Sequence, residues 1–178
     1  RFASTLRARG VALLRYLARM RVARQRPTIV AITGMQGKTL VKRTLYELLA
    51  RRFRVHANPL SYNTAVGLPL AILGCKLNTR HPLSLVTGFG RAFYTAYAAA
   101  PVDVMVLELG VRQPGDMRAH LDIVRPDIVV VTPLASSYRD DHQTLEVLRA
   151  EITVLCRQAS QAATPILLCG DDATLSAL

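Results

Sequence analysis

The sequence predicts an α/β fold, a P-loop-type doubly wound and mostly parallel sheet with helices on both faces, preceded by a basic amphipathic helix. Three observations predict it. Thr28 to Thr33 (TIVAIT) is a continuous β-branched apolar run, as in a strand buried on both faces. It is followed at once by Gly34-Met35-Gln36-Gly37-Lys38-Thr39 and then by Val41 to Ala50, apolar at helical spacing. Strand-like and helix-like stretches then alternate to the end of the chain, which is the pattern of a parallel sheet.

Taken in order, Arg1 to Arg26 reads as one helix. Phe2, Leu6, Leu13, Leu14, Leu17 and Met20 fall on one arc, and eight arginines with no acid among them lie before Pro27. Most of the net charge of +11 belongs to this segment. Such a helix either lies on an anionic membrane surface or packs on a neighbouring domain with its basic face solvated. Nucleic acid is the less favoured partner, because no aromatic interleaving or recognition motif accompanies the arginines. Residues 27–178 form the second unit. Its expected strands are Thr28 to Thr33, Phe53 to Ala57, Asp103 to Leu109, Asp127 to Thr132 and Pro165 to Cys169. Its expected helices are Lys38 to Ala50, Ala65 to Leu73, Leu83 to Ala99, Pro114 to Val124 and Gln143 to Gln161.

Composition excludes several classes. At 178 residues and 51% hydrophobic, the chain can bury the core of a single domain. No apolar run approaches a membrane span, and the basic start lacks the apolar stretch of a secretion signal. Cys75, Cys156 and Cys169 show neither metal spacing nor an even count, so they read as small apolar residues of a reduced, cytoplasmic protein. His56, His81, His120 and His142 are scattered, without a zinc pattern. The chain lacks an initiator Met and stops just after Gly170-Asp171-Asp172, so it is expected to be a piece of something longer.

The glycine turn carries the chemistry. Gly34 to Thr39 fits the short phosphate-loop pattern G-x-x-G-K-T. In a strand–turn–helix context, backbone N–H groups at the helix start would cradle phosphate oxygens, Lys38 would reach the terminal phosphates of ATP, and the Thr39 hydroxyl would ligate Mg²⁺. Glu108 closes the run Val104 to Leu107, and a carboxylate at the end of a buried strand beside a phosphate loop is placed to hold the same Mg²⁺. A helix cap is the alternative role for Glu108. Ser61-Tyr62-Asn63-Thr64, ahead of Gly67-Leu68-Pro69, is by itself only a polar loop opening a helix at that edge.

Together these segments resemble the central domain of the Mur ligases, within them the branch that adds D-alanyl-D-alanine. Ile32 to Thr39 is similar to the family's ITGxxGKT loop, and Tyr62-Asn63-Thr64 with Gly67 and Pro69 to its YNxxxGxP segment. Leu107 to Gly110 with Pro114-Gly115-Asp116 is similar to E-[LM]-G…PG-[DE], while Arg125-Pro126-Asp127 and Asp171-Asp172 match later landmarks. The resemblance implies an ATP-dependent carboxylate–amine ligase of peptidoglycan precursor synthesis. It acts through an acyl phosphate on a UDP-muramoyl peptide and an amino acid or dipeptide. By resemblance Lys38 holds the γ-phosphate, Thr39 and Glu108 serve magnesium, and Asn63 and Thr64 line the muramoyl side.

The chain departs from the family at three places. Tyr138 stands where the family has a metal-binding histidine, Ile152 where its frequently carbamylated lysine would fall, and Cys169 where NADD has asparagine. Asp140, Asp141 and His142 lie nearby as possible replacements, although solvated loop polarity is the simpler reading. The family's UDP-binding and carboxy-terminal domains are expected outside this stretch. Beside the ligase reading stands an alternative, a catalytically impaired nucleotide-binding scaffold or regulator of cell-wall synthesis. A generic P-loop enzyme is disfavoured by the Asn63 and Glu108 segments.

Overall fold

A computed structural model describes residues 2–57, 64, 66–76, 82–134, 142–172 and 175. The order of elements is α1 (Phe2–Gln25), β1 (Thr28–Thr33), α2 (Lys38–Leu49), β2 (Val55–Ala57), α3 (Gly67–Leu73), α4 (Pro82–Tyr97), β3 (Val104–Glu108), α5 (Asp116–Leu121), β4 (Ile128–Val131), α6 (His142–Gln161) and β5 (Ile166–Leu168). All four strand pairings are parallel, and the sheet runs β2-β3-β1-β4-β5. The expected α/β sheet is therefore present, with element ends trimmed by a few residues.

Alternation along the central strands sorts the helices onto two faces. Ile29 and Ala31 of β1 and Met105 and Leu107 of β3 join one core with α1, α3, α4, α5 and α6. Val30 and Ile32, with Val104 and Val106, face the other way onto Val41, Leu45 and Leu49 of α2. A strand that feeds two cores has no solvent face, which is why β1 and β3 read as unbroken apolar runs. The α2 side is only partly covered, since Leu167 of β5 is 54% exposed.

Helix α1 is built into this layer. Leu14, Leu17 and Ala18 are buried in the larger core. Arg21, four residues beyond Leu17, is also buried and donates to the Ile72 carbonyl at the end of α3. His56 Nε2 meets Ala71 O at 2.7 Å and Arg91 Nε donates to Gly74 O at 3.1 Å, so three side chains from α1, β2 and α4 satisfy the final carbonyls of α3. Burial and the neighbouring Arg24 lower the Arg21 guanidinium to about 10. Burial first, and then the Arg21 charge, pushes the His56 imidazole down to about 4. Leu13, Leu14 and Leu17 of the leucine arc are thus covered by the fold itself, and one of the arginines faces inward with them.

Candidate phosphate-binding site

The first and third strands end side by side, with Ile32 in register with Glu108 and the Leu109 amide bonded to Ile32 O at 2.8 Å. The chain leaves β1 for α2 on one face and passes from β3 to α5 on the other. Such a divergence opens a crevice at the carboxyl ends of the strands, where open α/β sheets bind ligands. Gly34 to Thr39 and Glu108 flank it.

Two glycines shape the loop for different reasons. Gly34 has φ +123°, and a Cβ there would lie 2.3 Å from Thr132 Oγ1 and 2.4 Å from Thr132 O. The loop therefore crosses β4 too closely for any side chain. Gly37, with φ +77°, is the N-cap of α2 in the left-handed region, and a Cβ there would meet nothing within 4 Å. It turns the chain and leaves open space above the helix start, the setting in which unsatisfied N–H groups receive an anion.

The loop is held by its own bonds. Met35 and Gln36 amides donate to Pro133 O at 3.1 and 3.2 Å, so these two donors are turned to the segment after β4. An anion at this loop would meet the amides of the first turn of α2. Lys38 Nζ donates to Gly34 O at 2.6 Å and Met35 O at 2.9 Å, curled over the loop. Burial lowers its ammonium from the ordinary value while Glu108 pulls it back up. Thr39 is exposed at the start of α2.

Glu108 is 5% exposed, and its Oε1 lies 2.7 Å from Lys42 Nζ, with side-chain exposures of 3% and 5%. The same Oε1 has no aligned hydrogen-bond donor, so the contact is a close pairing of charges with an acceptor still available. Lys42 is the site residue that sequence reasoning passed over. The available signal was its spacing, because a lysine four residues after Lys38 stands on the same side of the helix. Among the described residues no three His, Cys, Asp or Glu side chains converge, and Glu108 is the carboxylate described at this edge. One carboxylate, one threonine hydroxyl and ligand phosphates form an all-oxygen donor set that fits Mg²⁺.

The other expected positions separate. Thr64 lies at the start of α3, where its hydroxyl accepts from the Gly67 amide at 3.0 Å, a cap on that helix. Asn63, Tyr138, Asp140 and Asp141 lie outside the described residues. Ile152 is fully buried in the core of α6, so that position faces the packing interior rather than the crevice. Two carboxylates whose roles the sequence did not reveal brace the loops behind the site. Asp116 accepts from the Arg112 and Gln113 amides at 2.9 and 3.1 Å, and Glu151 of α6 accepts from Gly115 and Met117 amides at 2.8 and 2.7 Å. Asp172 receives the Leu134 amide at 2.6 Å and ties β5 to the segment after β4.

Residues 32–177 match the family described as the Mur ligase middle domain. The chain is 26% identical over 141 residues to the UDP-N-acetylmuramoyl-tripeptide–D-alanyl-D-alanine ligase of Borreliella burgdorferi, covering 79% of this chain and 25% of that protein. It is 26% identical over 113 residues to the enzyme of the same name from Bacillus subtilis, covering 64% and 20%. Among solved structures, MurF ligase from Thermotoga maritima in complex with ADP superposes with a TM-score of 0.56 at 20% identity, over 89% of this chain and 36% of that one. A MurF structure from Acinetobacter baumannii gives 0.62 at 16% identity, over 90% and 35%. Both superpositions take in more of the chain than residues 27–178 could supply, so part of α1 belongs to the shared fold. The chain spans a fifth to a quarter of the length of these two curated relatives. With its phosphate loop, its strand-end glutamate and its parallel sheet accounted for, the chain belongs to the Mur ligase family, as a middle domain of that family.

Proposed function

We propose that this chain is the nucleotide-binding domain of an ATP-dependent carboxylate–amine ligase, one that joins D-alanyl-D-alanine or a similar amine to a UDP-muramoyl peptide in the cytoplasm. The observation that carries the reading is the crevice itself, with the phosphate loop on β1 and the Glu108 carboxylate on the adjacent strand end. The names of the relatives supply the substrate class. Bound Mg²⁺ would offset phosphate charge during phosphoryl transfer, held by Thr39 and Glu108. The protein's own part is positional. Lys38 exchanges the Gly34 and Met35 carbonyls for phosphate oxygens in this reading. Gly37 keeps the helix start open, and Lys42 holds the Glu108 carboxylate in place while the site is empty. The Thr64 side chain enters as part of the loop ahead of α3, which with Asn63 faces the muramoyl substrate in this reading.

Calorimetric titration with ATP and Mg²⁺ tests it. The wild-type chain is expected to bind, and Lys38→Ala to bind at least tenfold more weakly with an unchanged melting temperature. Equal affinity in the two proteins would remove the phosphate-loop assignment.

A further inference from the structure

We propose that the outer face of α1 and α4 is a docking surface for an anionic phospholipid bilayer, which the protein touches peripherally. The inference does not rest on the nucleotide reading. Its first support is the distribution of acids. Glu47 is the sole Asp or Glu among the first 102 residues, so α1, α3 and α4, which pack together as one layer, contain none. The one ion pair that α1 makes among the described residues is Arg15 with Asp122 at 3.4 Å, from outside this layer, so the layer itself offers its arginines no carboxylate. The second support is an aromatic cluster that the fold leaves outside. On α4, Phe93, Tyr94 and Tyr97 are 45%, 63% and 47% exposed, and Tyr16 of α1 is 53% exposed. These side chains form one patch. Tyr16 and Tyr97 interact across the two helices, and the Phe93 and Tyr97 rings stack with centroids 6.5 Å apart. Arg9 and Arg19 lie on the exposed side of α1, seven residues before and three after Tyr16, on the same stripe.

Tyrosine and phenylalanine ringed by arginine, with no acid, complements the headgroup region of an anionic membrane, where amphipathic aromatics sit at the interface and cations meet lipid phosphate. The structure also excludes the simpler mode suggested by the leucine arc. Leu14, Leu17 and Ala18 belong to the core, so this part of α1 cannot turn its apolar side to lipid without opening the domain. No described helix is long and apolar enough to cross a membrane, which leaves attachment at the surface.

Deleting α1 would confound binding with unfolding, so the test uses exposed side chains. The intact chain is sedimented with phosphatidylglycerol vesicles and with phosphatidylcholine vesicles. Pelleting with the anionic vesicles alone, weakening as salt rises, is expected. Arg9→Gln and Arg19→Gln should each lower the partition coefficient about fivefold. Phe93→Ser with Tyr94→Ser should lower it further, all with wild-type melting temperatures. Absence of pelleting with anionic vesicles overturns the proposal. So does pelleting that none of these folded variants alters. If the chain instead self-associates in solution and Tyr94→Ser abolishes that association while vesicles are ignored, the patch is a protein interface and the lipid assignment falls.

Discussion

Removing the charge of Lys42 should destabilise the nucleotide-free protein, because Lys42 and Glu108 form a buried pair. The sequence reading gives Glu108 a metal-binding role, with a helix cap as the alternative. The structure adds an ion pair that neither reading included. The two side chains are 5% and 3% exposed and 2.7 Å apart, so solvent screening is small. Breaking such a pair from one side leaves an uncompensated charge, at a typical cost of about 3–5 kcal/mol. Lys38 also acts on Glu108 from the same helix and offsets part of the loss, so the lower end, about 3 kcal/mol, is expected for Lys42→Met, which keeps the aliphatic length. For a chain of this size that is a fall of roughly 6–12 °C in Tm. Glu108→Gln should fall by a similar amount, and the double variant should lose well short of the sum, since two neutral groups no longer strand a charge. Urea unfolding of the four proteins, with and without Mg²⁺, reads all of this. Mg²⁺ should stabilise Lys42→Met more than wild type, because the freed carboxylate can take the cation. If Lys42→Met lies within about 0.5 kcal/mol of wild type, or if the single losses simply add, the pair is not a coupled buried unit and the reasoning is wrong.

Three further outcomes follow from the packing. His56 has its pKa lowered to about 4 from 6.5, so the unfolded chain binds the extra proton between those values; stability should be full above pH 6.5 and fall by up to about 3 kcal/mol as pH drops to 4, a slope that His56→Gln should flatten in urea melts. Gly34→Ala should abolish folding or nucleotide binding, because its Cβ meets Thr132 backbone, whereas Gly37→Ala should cost only about 1–2 kcal/mol of stability for a left-handed alanine; equal damage by both in thermal melts would refute the distinction. Glu151→Ala strips the acceptor from the Gly115 and Met117 amides and should cost about 1–3 kcal/mol, with faster hydrogen exchange at those two amides as the specific sign.

Much of the architecture is written locally. The run from Thr28 to Thr33 is apolar on both sides because the strand feeds two cores, and that is visible without coordinates. Helix ends are legible where chemistry enforces them: Pro27 after α1, Gly74 in the left-handed region after α3, and Gly115 before α5. The phosphate loop is legible for the same reason, since its glycines, lysine and threonine are consecutive and each has one steric or chemical task. Gly34 is the exception in part. Its need for a left-handed turn is local, but the contact with Thr132 that forbids a side chain arises only when β4 lies beside β1.

What the sequence could not decide is the partner of each charged group, because pairing depends on residues far apart in the chain. Glu108 is visible as a strand-end carboxylate, yet only the packing of α2 on β3 brings Lys42 to it and ties it into the fold. Glu151 appears in the sequence as one more polar position on a helix. It becomes the cap of α5 across thirty-odd residues once those helices meet. The basic helix shows the same limit most clearly. Periodicity gave it an apolar arc, but whether that arc meets lipid, another domain or this one is a question of what else lies within reach, and α3 and α4 answer it by burying Leu14, Leu17 and even Arg21. Sequence by itself determined the strands and the turns and pointed to the phosphate loop, since these depend on neighbours in the chain. Tertiary structure decided which charges are paired and which apolar face is spent, since burial is a property of the whole assembly.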